Sequence, residues 1–310
     1  MTPDGIKPRS VDPTYVVVAA LGDSRVEAWS STRLPFDPTG AMREFRGELR
    51  SAVAQLSAGP ATGLYALYVA PVGAHFDVEN VLLYNVGPSA FRRSAAFELV
   101  VERVQGPVPD PPIGLADVRH HYRYEILPIG TPWRRWSAVR RLASFGPIDL
   151  GPSAHARRPS RVWYAVRRGG AEVSQIAVVP SVFGLDLVLE VPAGASVNLA
   201  SIAKPLVDGV VAALHAHDHP ASIDLVAGRI AAQLGAPVDE VRSLLGQNGP
   251  AILGARRLLW PWRNGVQWNP ADDLCAAFRI RRATRAAAPG DSATWRLQGS
   301  LVEIEPITAI

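Results

Sequence analysis

One segment of this chain occurs twice in outline. Residues 64–91 (LYALYVAPVGAHFDVENVLLYNVGPSAF) lie without gaps on residues 185–212 (LDLVLEVPAGASVNLASIAKPLVDGVVA), at a constant offset of 121. Both copies open with an alternating strand pattern and continue P-x-G-A from Pro71 and Pro192. A polar cluster follows, Asp77-Val78-Glu79-Asn80 in one and Asn198-Leu199-Ala200-Ser201 in the other, and an apolar run closes each. A duplicated strand–turn–helix unit produces this pattern, and so does a chain biased toward alanine, arginine, proline and glycine. Duplication would give two related halves packed around a shared core.

Elsewhere strand and helix patterns mix without a βαβ rhythm. Strands are read in TYVVVAAL, GLYALYVAP, AAFELVVERV, VRHHYRYEIL, SRVWYAVRR, FGLDLVLEVP, ADDLCAAFRIRRA and ATWRLQGSLVEIEPI. A helix is predicted over 38–59, with Phe45, Leu49, Val53 and Leu56 on one face and Gly59-Pro60 ending it. Another is predicted over 131–146, with Thr131 as N-cap and Pro132 in the first turn. Helical patterns also fill 198–217, 222–235 and 237–247. The expected class is therefore α+β, with a mixed or antiparallel sheet and packed helices. The expected division is a tail over 1–13, an N-terminal α+β half over 14–150 and a C-terminal half over 151–310. The second half carries a helical insertion at about 215–258.

Hydrophobic residues make up 48% and charged residues 19%, an ordinary globular balance. No window of eighteen apolar residues lacks a charge or proline, so no transmembrane helix is expected. The first residues have no apolar core of the signal-peptide kind, which leaves a cytoplasmic location as the expectation. The single cysteine, Cys275, rules out an internal disulfide and a cysteine zinc cage. It sits in an apolar strand and reads as core.

The net charge of +4 comes mainly from arginine. Many arginines are paired, as at Arg92-Arg93, Arg134-Arg135, Arg140-Arg141, Arg157-Arg158, Arg167-Arg168 and Arg256-Arg257, and they recur in the run from Arg279 to Arg285. Paired guanidinium groups suit phosphate, which they grip in bidentate fashion. A compositional bias toward arginine would leave the same trace.

Four constellations could carry chemistry. Asp77 and Glu79 lie two apart just beyond a strand, and two carboxylates aimed together suit Mg²⁺ or Mn²⁺. Asn80 could hold one of them or a substrate phosphate. The competing account makes Asp77 a helix cap, with Glu79 and Asn80 satisfying early backbone N–H groups. Lys204 and Asp208 share a helix face at i, i+4, and a lysine offers a compact charge for a phosphate oxygen. Their competing account is an exposed ion pair worth little. His215, His217, Asp218 and His219 could hold a metal, or form a polar helix end whose charged histidines favour the C-terminal dipole. Arg256, Arg257, Trp260, Trp262, Arg263 and Trp268 interleave aromatics with arginines. Such a stretch stacks bases, docks a protein partner or buries its rings in the core. No glycine-rich phosphate loop, dinucleotide fingerprint or H-E-x-x-H helix is present.

The second and first constellations together resemble the RusA-type Holliday-junction resolvases, whose pattern is D-x-D-N-x-x-K-x-x-x-D followed by an acidic pair opening a strand. Lys204-Pro-Leu-Val-Asp208 is similar to the K-x-x-x-D helix, and Asp77-Val-Glu79-Asn80 to the D-x-D-N turn, but in the other copy of the repeat. Asp218 falls at the spacing of the acidic pair, with His219 as its second member. Asp272-Asp273, ahead of a basic strand, match that pair's context at a longer spacing. Upstream of Lys204 the acids are replaced by Asn198 and Ala200. The resemblance implies a metal-dependent phosphodiester hydrolase acting on DNA or RNA, or a non-catalytic relative. Asp77, Glu79, Asp272 and Asp273 would be the metal ligands, and Lys204 and Asp208 would act on the phosphate. The alternative is a scaffold protein that binds a partner through residues 256–268. The test set by the sequence is whether Lys204 faces Asp77 and Glu79 in space.

Overall fold

A computed structural model describes residues 14–19, 24–73, 76–112, 114–115, 117–153, 157–176, 178–285 and 294–307. The expected tail over 1–13 lies outside the described residues. The first half of the chain forms β1 (Tyr15–Val18), β2 (Arg25–Ser30), α1 (Gly40–Val53), β3 (Thr62–Ala70), a single π-helical turn (Asn80–Tyr84), β4 (Glu98–Gln105) and β5 (His120–Pro128). Then come β6 (Trp136–Gly151), α2 (Pro159–Gly169), β7 (Ala171–Val173), β8 (Phe183–Pro192) and α3 (Leu199–Ala213). An excursion follows: β9 (Ala216–His217), α4 (Ile223–Leu234), α5 (Val238–Gly246), β10 (Ala255–Arg256), and a hairpin of β11 (Leu259–Trp262) and β12 (Gly265–Trp268). The chain returns as β13 (Cys275–Arg285) and β14 (Trp295–Pro306).

Ten strands make one mixed sheet in the order β1-β2-β5-β3-β4-β13-β8-β14-β6-β7, so the class is α+β as the sequence predicts. The order has a centre. β4 and β13 are antiparallel neighbours. Outward from β4 come β3, parallel, then β5 and β2, each antiparallel to the strand before it. Outward from β13 come β8, parallel, then β14 and β6, again antiparallel. The two strands flanking this centre, β3 and β8, open the two segments that align at an offset of 121 residues. β6 belongs with β14 and β7 by its pairing, although the expected division at residue 150 runs through it.

The strand alternation explains where the core sits. Leu64, Ala66, Tyr68 and Ala70 of β3 and Leu185, Leu187, Leu189 and Val191 of β8 point to one face. There they join Phe45, Leu49 and Val53 of α1, Val162 and Val166 of α2 and most of α3 in the main core. Among the described residues the opposite face has two small clusters, around Tyr65, Leu67, Val69 and Val100 and around Trp136, Ala276, Ala277 and Ile304. All the long helices of the described residues that pack on the sheet do so on the first face.

Two sequence expectations fail. The segment predicted as a helix over 131–146 is strand β6 from Trp136 onward. Its pairing with β14 slips at several points, between Leu301 and Val302 and between Glu303 and Ile304 among others. Each slip resets the two-residue alternation, so the apolar spacing imitates a helix. The segment SRVWYAVRR, predicted as a strand from its aromatic and β-branched content, is helix α2, with Pro159 in its first turn. Here tertiary packing overrides propensity: Val162 sits against Gly209 of α3, where a Cβ would lie 2.5 Å from the valine Cβ and 2.9 Å from the Pro159 carbonyl oxygen. Gly209→Ala should therefore destabilise by about 1–3 kcal/mol through overpacking. Gly228→Ala in α4, where a Cβ meets nothing within 4 Å, should be neutral or stabilising by up to about 1 kcal/mol. Paired urea melts of the two variants check this.

Candidate metal centre

The site forms where the C-terminal ends of β3 and β4 meet the N-terminal end of β13, beneath α3. The chain leaves β3 and passes Asp77 and Glu79 before the π-helical turn. α3 lies alongside and presents Lys204 and Asp208 one turn apart. Asp272 closes the group from the short turn ahead of β13. The Lys204 ammonium lies 3.0 Å from Glu79 Oε1, 3.1 Å from Asp208 Oδ1, 3.3 Å from Asp272 Oδ2 and 3.7 Å from Asp77 Oδ2. Residues 125 positions apart in sequence thus meet in one cluster. Lys204 thus faces Asp77 and Glu79 in space.

Three local devices hold it. Pro205 follows Lys204 inside α3 and has no N–H, which leaves the Ser201 carbonyl without its helical partner. The Tyr84 hydroxyl donates to that carbonyl at 3.2 Å and ties the π-helical turn to α3. Asn80 donates its side-chain amide to Asp77 Oδ2 at 2.6 Å, so it holds a carboxylate. Arg103 on β4 is buried and donates to the Phe76 carbonyl and to the Asp273 carbonyl, both at 2.7 Å. One guanidinium thus clamps the two segments that carry Asp77 and Asp272. Sequence reasoning missed Arg103 as a positioning residue. Its signal was a charged residue inside the apolar strand FELVVERV.

Burial decides the electrostatics. Glu79 is fully buried, and burial pushes its carboxyl up from 4.5 to about 7 even though Lys204 pulls it down. Burial also pushes Asp208 well above the usual carboxylate range, and Asp272 up, the latter with help from the Asp77 charge. Burial pulls the Lys204 ammonium down, but Glu79, Asp208 and Asp272 outweigh it and push it up. The lysine is therefore locked in its charged form. One cation facing four carboxylates leaves excess negative charge in a poorly solvated place. One oxygen each of Asp77, Glu79 and Asp272 lie within 4.8 Å of one another, and Glu79 Oε2 is buried with no hydrogen-bond partner. Adjacent ligands of an octahedral Mg²⁺ are about 2.9 Å apart and opposite ones about 4.2 Å, so the three oxygens would draw together to grip such an ion.

The pH consequence has a definite sign. Glu79 binds its proton more tightly folded than unfolded, so the stability it contributes is present below about pH 4.5 and is lost as pH rises through about 7. Without divalent cations the melting temperature should fall across that window. Mn²⁺ should raise it, and by more at pH 8 than at pH 5.5, because protons and metal compete for the same oxygens. Calorimetric melts with chelator and with Mn²⁺ measure both slopes, and a metal effect independent of pH would count against Glu79 as a ligand.

The other expected residues fall out differently. Asp273 supplies its backbone carbonyl to Arg103, and its carboxylate is not part of the metal-sized group. Asp77 does stand at the start of the helical turn, where its carbonyl accepts from the Asn80 and Val81 N–H groups, but its carboxylate takes the Asn80 side chain. Lys204 and Asp208 are no exposed pair, since Asp208 is buried. The histidines do not gather as metal ligands among the described residues. His215 is buried against the Gly254 carbonyl, and burial lowers it to about 4, so it is neutral and no charged helix end. His219 pairs with Ser222. Cys275 is buried in the core as expected. Of the three tryptophans in the Trp/Arg segment, Trp268 packs inward, 5.8 Å from the ring of Trp163. Trp260 and Trp262 are exposed, with Arg257 3.3 Å above the first ring and Arg263 5.8 Å from the second. Core packing is thus wrong for those two rings, and Arg256 pairs instead with His217 in the small β9–β10 ladder.

No protein-family model matches the chain, and no curated protein or solved structure is significantly similar to it. Any functional assignment therefore stands on the geometry itself. No helix among the described residues is long and apolar enough to cross a membrane.

Proposed function

We propose that this protein is a Mg²⁺- or Mn²⁺-dependent phosphodiester hydrolase acting on nucleic acid. One observation carries the proposal: Asp77, Glu79, Asp208 and Asp272, drawn from three separate segments, converge within 4 Å of the Lys204 ammonium. A structural core gains little from such a group, because replacing buried charge with apolar side chains is commonly neutral or stabilising. Its concentration at one point is better explained by chemistry.

In this reading Asp77, Glu79 and Asp272 hold the cation, which would supply an activated water and neutralise charge on the phosphate. Lys204 turns from the carboxylates to a phosphoryl oxygen and stabilises the charge that develops there. Asp208 keeps the ammonium charged and aimed. Water adds at phosphorus, one P–O bond forms, one breaks, and the departing oxygen takes a proton. The two segments that align at an offset of 121 residues would supply the two sides of the site. The motif resemblance to RusA-type resolvases favours branched DNA as the first substrate to try.

The exposed pair Trp260 and Trp262, crowned by arginines, offers a stacking platform to the same substrate. It equally favours a second reading, a scaffold that docks a protein. The experiment is incubation of the protein with end-labelled branched and linear DNA in Mg²⁺, Mn²⁺ or chelator. Metal-dependent cleavage is expected. Trp260→Ala with Trp262→Ala should weaken DNA binding by about 1–3 kcal/mol per lost stack without moving the melting temperature. Absent cleavage, together with DNA binding unchanged in Lys204→Ala, would leave only the scaffold.

A further inference from the structure

We infer that one chain carries one hydrolytic centre, so that each binding event cuts one strand and leaves a nick. The inference rests on the hydrolase reading and concerns its outcome. The sheet order is centred on β4 and β13, and a symmetric pair of halves would have two equivalent sites. Only one is equipped. At the 121-residue offset, Asp77 corresponds to Asn198, Glu79 to Ala200, Lys204 to Leu83 and Asp208 to Gly87. Leu64 pairs with Leu99 and Leu185 with Phe278, so at the same offset Leu99 corresponds to Phe278. Counting back from there, Asp272 corresponds to Arg93 or Ser94, according to how the bulge between Cys275 and Ala277 is taken. No carboxylate survives at any corresponding position.

What stands there instead is neutral or basic. The Asn198 amide donates to the Pro88 carbonyl at 2.8 Å. Arg50 donates to Ser89 at 2.8 Å, and its guanidinium lies 3.3 Å from where a Cβ on Gly87 would be. A place that in one half gathers four acids around a lysine has in the other an arginine, with no acid at the corresponding positions. A divalent cation finds ligands at the first and repulsion at the second. With a single centre, hydrolysis consumes one water and breaks one P–O bond per encounter. A second cut needs a second encounter or a second chain.

Two measurements test this independently. The first is Mn²⁺ titration of the chain, wild type and Glu79→Gln/Asp272→Asn. All tight Mn²⁺ binding should vanish in the double variant. Tight binding retained by that variant would show a second centre and overturn the inference. The second is digestion of supercoiled circular DNA at limiting protein. Open circle should accumulate first, with linear product appearing only after a lag. Linear product formed in step with open circle, at a rate first order in protein, would overturn it. If the Mn²⁺ result holds and no DNA is cut, the single centre stands and the hydrolase reading falls.

Discussion

Lys204→Met should lower the melting temperature of the metal-free protein by roughly 5–10 °C, and a divalent cation should restore most of the loss. The lysine is the one cation within 4 Å of Asp77, Glu79, Asp208 and Asp272 among the described residues. Removing one partner from a buried ionic group typically costs about 3–5 kcal/mol. In a chain of this size each kcal/mol moves the midpoint by about 2 °C or a little more. The carboxylates can escape part of the cost by taking up protons, since burial already holds three of them above their usual range. The deficit should therefore shrink as pH falls toward 5 and grow toward pH 8. Lys204→Arg keeps the charge, and should lose less stability while still losing cleavage, because a planar fork does not reproduce a point charge among four oxygens. Scanning calorimetry of the three proteins, each with chelator and with Mn²⁺, reads the whole pattern. An unchanged midpoint in Lys204→Met at pH 8 would mean that the carboxylates are not held by the lysine at all.

The site was largely legible in the sequence, for a physical reason. Asp77-x-Glu79-Asn80 and Lys204-x-x-x-Asp208 are short motifs whose internal spacing fixes their local direction, on a turn and on a helix face. The repeat at 121 residues then suggested that the two were neighbours, and the flanking strands β3 and β8 do sit symmetrically about the sheet centre. Asp272 was legible only as one of a pair. Choosing it over Asp273 requires knowing the short helical turn before β13, which aims the first carboxylate inward and leaves the second residue to offer its carbonyl. Arg103 was hidden because its role is long-range: it joins segments on either side of the site, and no local pattern announces that. Strand β6 was misread because bulges erase alternation, and α2 because Trp163, Tyr164 and two valines look like a strand until Gly209 on α3 is seen to make room for Val162. Local rules failed where the structure is made by pairing between distant segments.

Glu79→Gln and Asp272→Asn should each reduce metal-dependent cleavage by at least about 10²-fold, the scale on which a preorganised charge-stabilising group is lost. Both are close to isosteric, so the fold should survive. The amide of Glu79→Gln can still accept from Lys204 while removing one of four negative charges, so stability in chelator should hold or rise slightly above pH 7. What should vanish is the stabilisation by Mn²⁺, because one of three oxygens in the metal-sized group has gone. That combination separates a metal ligand from a structural acid. A purely structural carboxylate would cost stability in chelator and leave the Mn²⁺ response intact. Asp273→Asn is the matched control: its carboxylate stands outside the group, and neither cleavage nor the Mn²⁺ shift should change by more than about twofold, a few tenths of a kcal/mol. Loss of activity in Asp273→Asn equal to that in Asp272→Asn would move the centre to the other acid. Retained cleavage in Glu79→Gln would remove the buried carboxylate from the reaction altogether. Glu79 is the sharper probe of the two. It is the most buried of the four acids, it has an unpartnered oxygen, and its protonation falls in a pH range where activity can be followed on both sides.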